Sequence, residues 1–580
     1  MFVANKTDKE QILESWSGIL SPEKLAALQT SKGFKFYELV FRHIQETDFR
    51  CLYSSKYSAP NSPVNRLVSA IVICEQRNWS DKELESQLSF NIEIRIALGL
   101  PDLDGMPFSM RTYYNFKNRL ANYEHITGIN LLEQVFIHLT KQQLAALNLN
   151  ASIQRGDSVL LESSISGYSR ISLLVEMLRR LYSILSPTDQ QAYRMLFQPY
   201  LKGGEKFVYD LTPSDKEGQL SALGTVYYSL HRLLAGSYEQ HIVFQTFARV
   251  YQEHFEERLT DSTNEEQAPI VVEVRTGNLG SNTLQSPDDL EATYRSKRKE
   301  SHHGFVAFGA ETCHPDNEIN LVTALSVDTN NTDDSTLLED KLDDMVELTP
   351  ELDELHLDGG FGSKAIDEKA EAEEIKIIQT AVRGRKAAVS ISIQGDEKQG
   401  FTATCPNPAQ QPVAATKAVK NYKASFALNV CSTCPFRDNC PAFKNQSVKK
   451  EVATFYFSPE IVLMQQRHQA LQTIPKERQT LRSGVEGLMG QLHRGAIHTG
   501  KLKVTGLFNT KLYVFAMGIA INFERIYNWL SSKRTGFSLF SILFSFFPFI
   551  CSLPAPQRTK IRAQNNYTMS MNIFLFSLFQ

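Results

Sequence analysis

Three acidic residues, Asp157, Asp358 and Glu486, lie far apart in a chain of 580 residues, in settings that suit work on a phosphodiester. Asp157 sits in Arg155-Gly156-Asp157-Ser158. Asp358 ends the run Glu354-Leu355-His356-Leu357-Asp358 and is followed at once by Gly359-Gly360-Phe361-Gly362-Ser363. An alternating run bounded by glycines reads as a short strand that stops abruptly, and the glycines let a backbone or a ligand come close. Alone, such an aspartate serves turn chemistry equally well. Two-metal phosphodiester chemistry asks for carboxylates converging on ions about 3.5–4 Å apart. One ion activates water or a 3′-hydroxyl, and the other stabilises the leaving oxygen. Hard oxygen ligands select Mg²⁺ or Mn²⁺. If a sheet sets the strands of Asp157 and Asp358 side by side, the two carboxylates can face one pocket.

Glu486 belongs to a segment, Thr480 to Arg494, that the pattern predicts as a helix. Arg482 is four residues before Glu486 and His493 seven after, so all three share one helical face. Gly484, Gly487 and Gly490 each cost roughly 1 kcal/mol relative to alanine in a helix. Close packing or substrate approach accounts for them, where an exposed Arg–Glu pair on an ordinary helix does not. Between Gln491 and Lys511 lie His493, Arg494, His498, Lys501, Lys503 and Lys511, with no acid. A basic run directly beyond Glu486 would seat DNA against the carboxylates, each neutralised phosphate adding about 0.9 to the salt slope of binding. The plain alternative is a solvated surface.

The elements that must position these residues follow from periodicity and capping. Ser62-Pro63 starts a helix carrying Leu67, Val68, Ala70, Ile71, Val72 and Cys74. Ser80-Asp81-Lys82-Glu83 has capping-box spacing. Ser109 caps a third helix, whose Arg111, Tyr113, Tyr114, Lys117 and Arg119 suit DNA recognition or a solvated face. Residues 151–165 read as a strand around Asp157, and residues 170–265 as strongly helical. Strands return at Ile270-Val271-Val272, at 304–308 and at 318–325. A helix from Ser335 to Val346, the Asp358 strand, a helix from Ala365 to Glu374 and the strand Ile375 to Ile378 follow. This order implies an α/β core. Residues 386–457 are short, polar and β-like, and the pattern from Pro459 to Leu530 is helical again. We found no internal repeat.

The bulk numbers agree with a folded protein of two to four domains: 42% of residues are hydrophobic and 22% charged. A net charge of −3 gives no global basic field, so any DNA contact must be local. The N-terminus lacks a hydrophobic signal core. With the reduced cysteines, this points to the cytoplasm. The last 50 residues hold five Lys or Arg and no acid. Their Phe-rich stretch 537–553 is at the lower length limit of a spanning helix and contains Pro548, so a buried or aggregation-prone tail is favoured over a membrane anchor. Cys431-Ser-Thr-Cys434, with Cys405 and Cys440, offers four thiolates, the tight pair at structural-zinc spacing. Reduced packing thiols are the other reading. His302-His303 and His314 are read as loop residues.

These residues carry a resemblance. Arg482-Ser-Gly-Val-Glu486, with a basic position seven residues on, resembles the Arg-Glu-Lys part of the signature of bacterial insertion-sequence transposases of the DDE type. Asp157-Ser158 resembles the first Asp of that family, and Leu357-Asp358-Gly359-Gly360-Phe361 the second. Ser286 to Ala292 and Gly304 to Ala307 resemble its approach to the second strand. Gly506-Leu507, followed by Ala520 to Ile526, resembles its closing helix, and Ser62 to Leu120 its N-terminal helical domain. The cysteine cluster resembles a segment common in one group of these enzymes. Three positions depart from the pattern: His493 where Lys is usual, Gln479 where Tyr is often seen, and Glu524 where a Lys often precedes the closing Arg.

The resemblance implies an α/β RNase H-like catalytic core with helical and β insertions, preceded by an all-α domain. Its parts would be a helical DNA-binding domain (1–150), the first part of the core (151–385) with a helical insertion (166–268), a β-rich cysteine-bearing insertion (386–458), the C-terminal helices of the core (459–530) and a basic, Phe-rich tail (531–580). It implies Asp157, Asp358 and Glu486 as ligands of two Mg²⁺ or Mn²⁺ ions, with structural Zn²⁺ on Cys405, Cys431, Cys434 and Cys440 as a further candidate. Arg482, His493, Arg494, Lys501 and Lys503 would contact DNA, and Arg111, Lys117 and Arg119 would bind the element's terminal inverted repeats. The expected partners are double-stranded DNA of the element ends and the target, and a second copy of the chain when DNA is bound, with no membrane. The reaction is cleavage at element ends and strand transfer. The competing expectation, resting on His493, Gln479 and the tail, is a decayed or repurposed transposase that binds DNA without cutting it.

Overall fold

The computed structural model describes residues 2–5, 9–56, 59–202, 204–209, 211–212, 214–259, 270–277, 279–380, 389–496 and 500–533. Residues 261–267, His498 and the Phe-rich stretch 537–553 lie outside the described residues. The chain divides into two units, Met1–Trp529 and Leu530–Gln580, and only 530–533 of the second are described.

The first unit is mixed α/β and begins with helices. Pro63 stands directly before α1 (Val64–Gln76). Ser80 forms a complete capping box with Glu83 at the start of α2 (Asp81–Phe90). Ser109 accepts the Thr112 amide to open α3 (Met110–Thr127), and Asn130 caps α4 (Leu131–Ala146). Strand β1 (Ile153–Glu162) follows, then α5 (Arg170–Ile184), α6 (Asp215–Tyr238) and α7 (Ile242–His254), which enclose their own apolar core around Tyr227 and Phe247. The strand signal at Ile270 is realised as Ile270–Val274. It pairs with Phe255–Leu259 in a separate hairpin and does not join the main sheet. Phe255, Val272 and Val274 of this pair pack on the helical block's core.

The main sheet holds six strands: β1, β2 (Thr293–Lys297), β3 (Glu300–Thr312), β4 (Val322–Thr329), β5 (Glu354–Leu357) and β6 (Lys376–Gln379). Strand β3 lies against β1 on one side and against β2 and β4 on the other, all antiparallel. Beyond β1 the pairing turns parallel, to β5 and then β6. The apolar run Phe305–Ala310 makes β3 a strand buried on both faces. Helices α8 (Asp334–Leu348) and α9 (Lys364–Ala372) cover one face through Leu338, Leu342 and Ile366 against Val306, Phe308 and Leu357.

After β6 come the β-rich segment with its antiparallel pair β7 (Tyr422–Ala427) and β8 (Val452–Phe457), then α10 (Pro459–Thr473), α11 (Val485–Leu492) and α12 (Leu507–Ser532). Helices α11 and α12 cover the other face of the sheet through Val485, Leu488, Tyr513 and Phe515, against Phe305, Ala307 and Leu161. The N-terminal helices α1, α3 and α4 share this second core. His302 and His303 are not loop residues. They lie on β3, where Glu162 Oε1 accepts from His302 Nδ1 at 2.6 Å and Gln285 Oε1 meets His303 Nδ1 at 3.0 Å.

Candidate active site

Successive strand residues alternate faces, so Arg155, Asp157, Val159 and Leu161 point together to the side that α11 and α12 cover. Gly309 lies opposite Asp157 on β3, and its missing side chain leaves the space that Leu488 and Met489 of α11 fill. Parallel pairing of β1 with β5 sets Arg155 level with His356, which brings Asp157 level with Asp358 two residues further on. The strand ends there because Asp358 turns its own carboxylate back to accept the Gly360 amide at 2.6 Å, capping a short 3-10 turn. Turn chemistry and a place in the site are thus combined in one residue.

The segment carrying Glu486 is right-handed helical throughout, as its spacing predicts, but tightens at both ends of α11 (Val485–Leu492): a 3-10 turn (Leu481–Gly484) precedes it and a second (His493–Gly495) follows. Of its three glycines, Gly484 is closely packed, whereas Gly487 and Gly490 face open space. Arg482 sets its guanidinium on the Asp157 carboxylate. Glu486 is exposed at the start of α11.

The three acids feel one another. Burial pushes the Asp157 carboxyl above its ordinary range. Arg482 and the Ser158 amide, at 2.9 Å from its Oδ1, pull it back, while the negative charges of Asp358 and Glu486 push it up again. Two hard carboxylates beside a half-buried third match a divalent cation by donor type. Among the described residues, however, no three His, Cys, Asp or Glu are spaced as an ion would hold them. Arg482 supplies the positive charge at Asp157.

Two glycines near the acids have arginines pressed on them. A methyl group on Gly484 would stand 2.1 Å from Arg155 Nη1, and one on Gly362 would stand 2.7 Å from Arg467 Nη1. Arg467 on α10 donates to the Ser363 carbonyl at 2.8 Å and pairs with Asp367, fixing the loop after Asp358. Arg155 pairs with buried Glu311 on β3 and donates to the Leu481 carbonyl at 2.8 Å. Reading the sequence missed Arg155, Glu311 and Arg467. A charged residue beside an apolar strand run, as Glu311 is beside Phe305–Ala310, was the available signal.

The basic run divides. His493 and Arg494 lie in the turn after α11, Arg494 exposed. Lys501 donates to the Ile165 carbonyl at 2.6 Å. Lys503 pairs with Glu75 of α1 at 3.0 Å and donates to the Trp79 carbonyl at 2.8 Å. Lys511 pairs with Glu124 of α3 at 2.7 Å. On α3, Arg111 is exposed, Lys117 lies 5.6 Å from the centre of the Tyr113 ring and Arg119 5.0 Å from that of Tyr53. Glu524, where Lys was expected, pairs with Lys32 and accepts from Gln76 at 2.6 Å.

The four cysteines of the β-rich segment gather. Burial raises the thiols of Cys405 and Cys431; Cys440 and Cys434 raise both further, and Cys405 also raises Cys431. Gln410 donates to Cys431 Sγ at 3.3 Å. All four are free thiols, and no three are at ion-holding distance.

Among the described residues no helix is long and apolar enough to cross a membrane. Residues 404–527 match the model of a transposase DDE domain, and residues 24–119 that of a transposase domain. No curated protein and no solved structure matches the chain.

Proposed function

The two matched segments support an insertion-sequence transposase of the DDE type, and on that premise we propose that this chain cuts DNA at element ends and joins the freed 3′-hydroxyl to target DNA. The observation that carries the reading is the convergence of Asp157, Asp358 and Glu486, from two parallel strands and a helix on the same side of the sheet. Within the six-stranded sheet, antiparallel β4, β3 and β1 continued by parallel β5 and β6 support an RNase H-like core.

Asp157, Asp358 and Glu486 would hold the divalent cations, which when bound activate the attacking oxygen and stabilise the leaving one. Asp358 is held by its own turn, so its carboxylate meets a substrate with little reorganisation. Arg482 neutralises Asp157 and, as a planar fork of donors, is built to exchange a carboxylate for a phosphate. Arg494, exposed just beyond α11, adds positive charge on the path of DNA. Lys501 and Lys503 serve the fold more than the substrate, because protein acceptors already hold them.

Asp358→Ala abolishes Mg²⁺-dependent cleavage of a duplex carrying the element end, and leaves binding of that duplex within a few-fold. Full cleavage by this variant would sink the reading. A second reading, a DNA-binding protein that does not cut, is favoured by Arg482 sitting on Asp157. Strand transfer in Mn²⁺, by the full chain or by one ending at residue 530, removes it.

A further inference from the structure

We propose that Glu311 is a positioning residue for Glu486: its single buried carboxylate holds Arg155 and Arg525, and these arginines grip the chain five residues before and five residues after Glu486. This rests on the reading of Glu486 as part of the cleavage site.

Glu311 is 1% exposed on β3, directly opposite Arg155 on β1. Its Oε1 lies 2.6 Å from Arg155 Nη2 and 2.7 Å from Arg155 Nε. Its Oε2 lies 2.6 Å from Arg525 Nη1, on α12. The free ends of both guanidinium groups then reach the Glu486 segment. Arg155 Nη1 donates to the Leu481 carbonyl at 2.8 Å, and Arg525 Nη2 donates to Gln491 Oε1 at 2.9 Å. Arg525 also donates to the Asn320 carbonyl at 2.9 Å, which ties the arrangement to the approach of β4.

Three features make this more than a convenient ion pair. The segment it grips is a two-turn α-helix with 3-10 ends, weak by propensity because of its three glycines. Gly484 leaves room for the Arg155 guanidinium, since a methyl group there would stand 2.1 Å from Nη1. A guanidinium is planar and multidentate, so one arginine can hold Glu311 with one edge and the gripped segment with the other. Removing the carboxylate would leave two cations facing each other, and both grips would open. Gln491 is the mildest point of attack, because its loss breaks one grip and leaves Glu311 paired.

The test compares wild type, Glu311→Gln, Gln491→Ala and Glu486→Ala as full chains. Each is assayed for Mg²⁺-dependent cleavage of, and binding to, a duplex carrying the element's own end. Amide hydrogen exchange is followed peptide by peptide. The expected result is a loss of cleavage rate at saturating DNA of about 100-fold in Glu311→Gln, the cost of a misplacement near 1 Å. Gln491→Ala shows a smaller loss in the same direction. Binding changes by less than about threefold, and exchange quickens at 481–492 while the sheet and α8 keep wild-type protection. Should Glu311→Gln not fold, Gln491→Ala decides. Wild-type cleavage and wild-type exchange at 481–492 in Gln491→Ala and, where it folds, Glu311→Gln overturn the proposal. Exchange that quickens everywhere overturns it too, since that is general loosening. If Glu486→Ala itself cleaves normally, it is the role of Glu486 that fails. The exchange at 481–492 then judges the grip alone.

Discussion

Arg482 lays its guanidinium on the carboxylate of Asp157, across 325 residues of chain, although Glu486 is only four residues away. Asp157 is the more buried of the two acids and has the greater need of a counter-charge, as its raised carboxyl shows. Arg482 is the largest influence pulling that carboxyl down. Arg482→Ala therefore raises the Asp157 carboxyl further, and the ionised form is lost at higher pH. The acid limb of the cleavage rate against pH should move upward. A limb that stays in place would show that Arg482 does not act through Asp157.

Lys503 tests whether the basic run serves DNA or the fold. Its pairing with Glu75, which is 3% exposed, joins the segment after α11 to the N-terminal helices. Lys503→Ala strips a buried acid of its cation and should cost roughly 1–3 kcal/mol of unfolding free energy, read by urea denaturation. The salt slope of DNA binding should stay unchanged. A slope reduced by about 0.9 with full stability would return Lys503 to the DNA.

The helical block carries its own acid sensitivity. His254 is 2% exposed, and Arg170 Nε donates to its Nδ1 at 3.0 Å, so the ring must stay neutral there. Burial, aided by the Arg170 charge, pushes its pKa down to about 4 from an ordinary 6.5. In the unfolded chain the ring takes a proton below about 6.5, which the folded state resists. The stability is therefore complete above that pH and is lost as pH falls towards 4. The linkage amounts to roughly 3 kcal/mol. His254→Gln should flatten this fall in thermal unfolding of α5–α7. An equally steep fall in the variant would assign it to other groups.

Zinc content checks the cysteine cluster. Burial and mutual repulsion keep Cys405 and Cys431 as thiols unless a cation is present. If the four thiols close on an ion, protein purified without chelator carries about one Zn²⁺ per chain, the stoichiometry of a four-thiolate structural site. Cys431→Ser with Cys434→Ser should lose it, together with protection of β7 and β8 from hydrogen exchange. A zinc-free wild type with the same protection would leave the four as packing thiols.

Much of the fold is legible one element at a time. The Ser80–Glu83 box and the Ser109 cap form as their spacing demands. The strands at Asp157 and Asp358 and the helices after them also lie where alternation and apolar period place them. The 3.6-residue period of Arg482, Glu486 and His493 predicts the helix there, but it cannot reveal that the helix tightens to 3-10 before α11 or that Arg155 packs on Gly484. Likewise the acid-free run after Glu486 looked free for DNA, whereas Glu75 and Glu124 already hold two of its lysines.

By itself the sequence determined which residues have the chemistry: three carboxylates at strand and helix positions, a glycine-rich segment around one of them, and caps that start the helices. These depend on neighbours within a few residues, where period and propensity act. Only the tertiary structure decided the partners. Arg482 went to Asp157, Glu311 took two arginines, and Lys503 took Glu75. An ion pair forms with whichever opposite charge the packed core brings within a few ångströms and strips of water, and distance along the chain does not enter that choice.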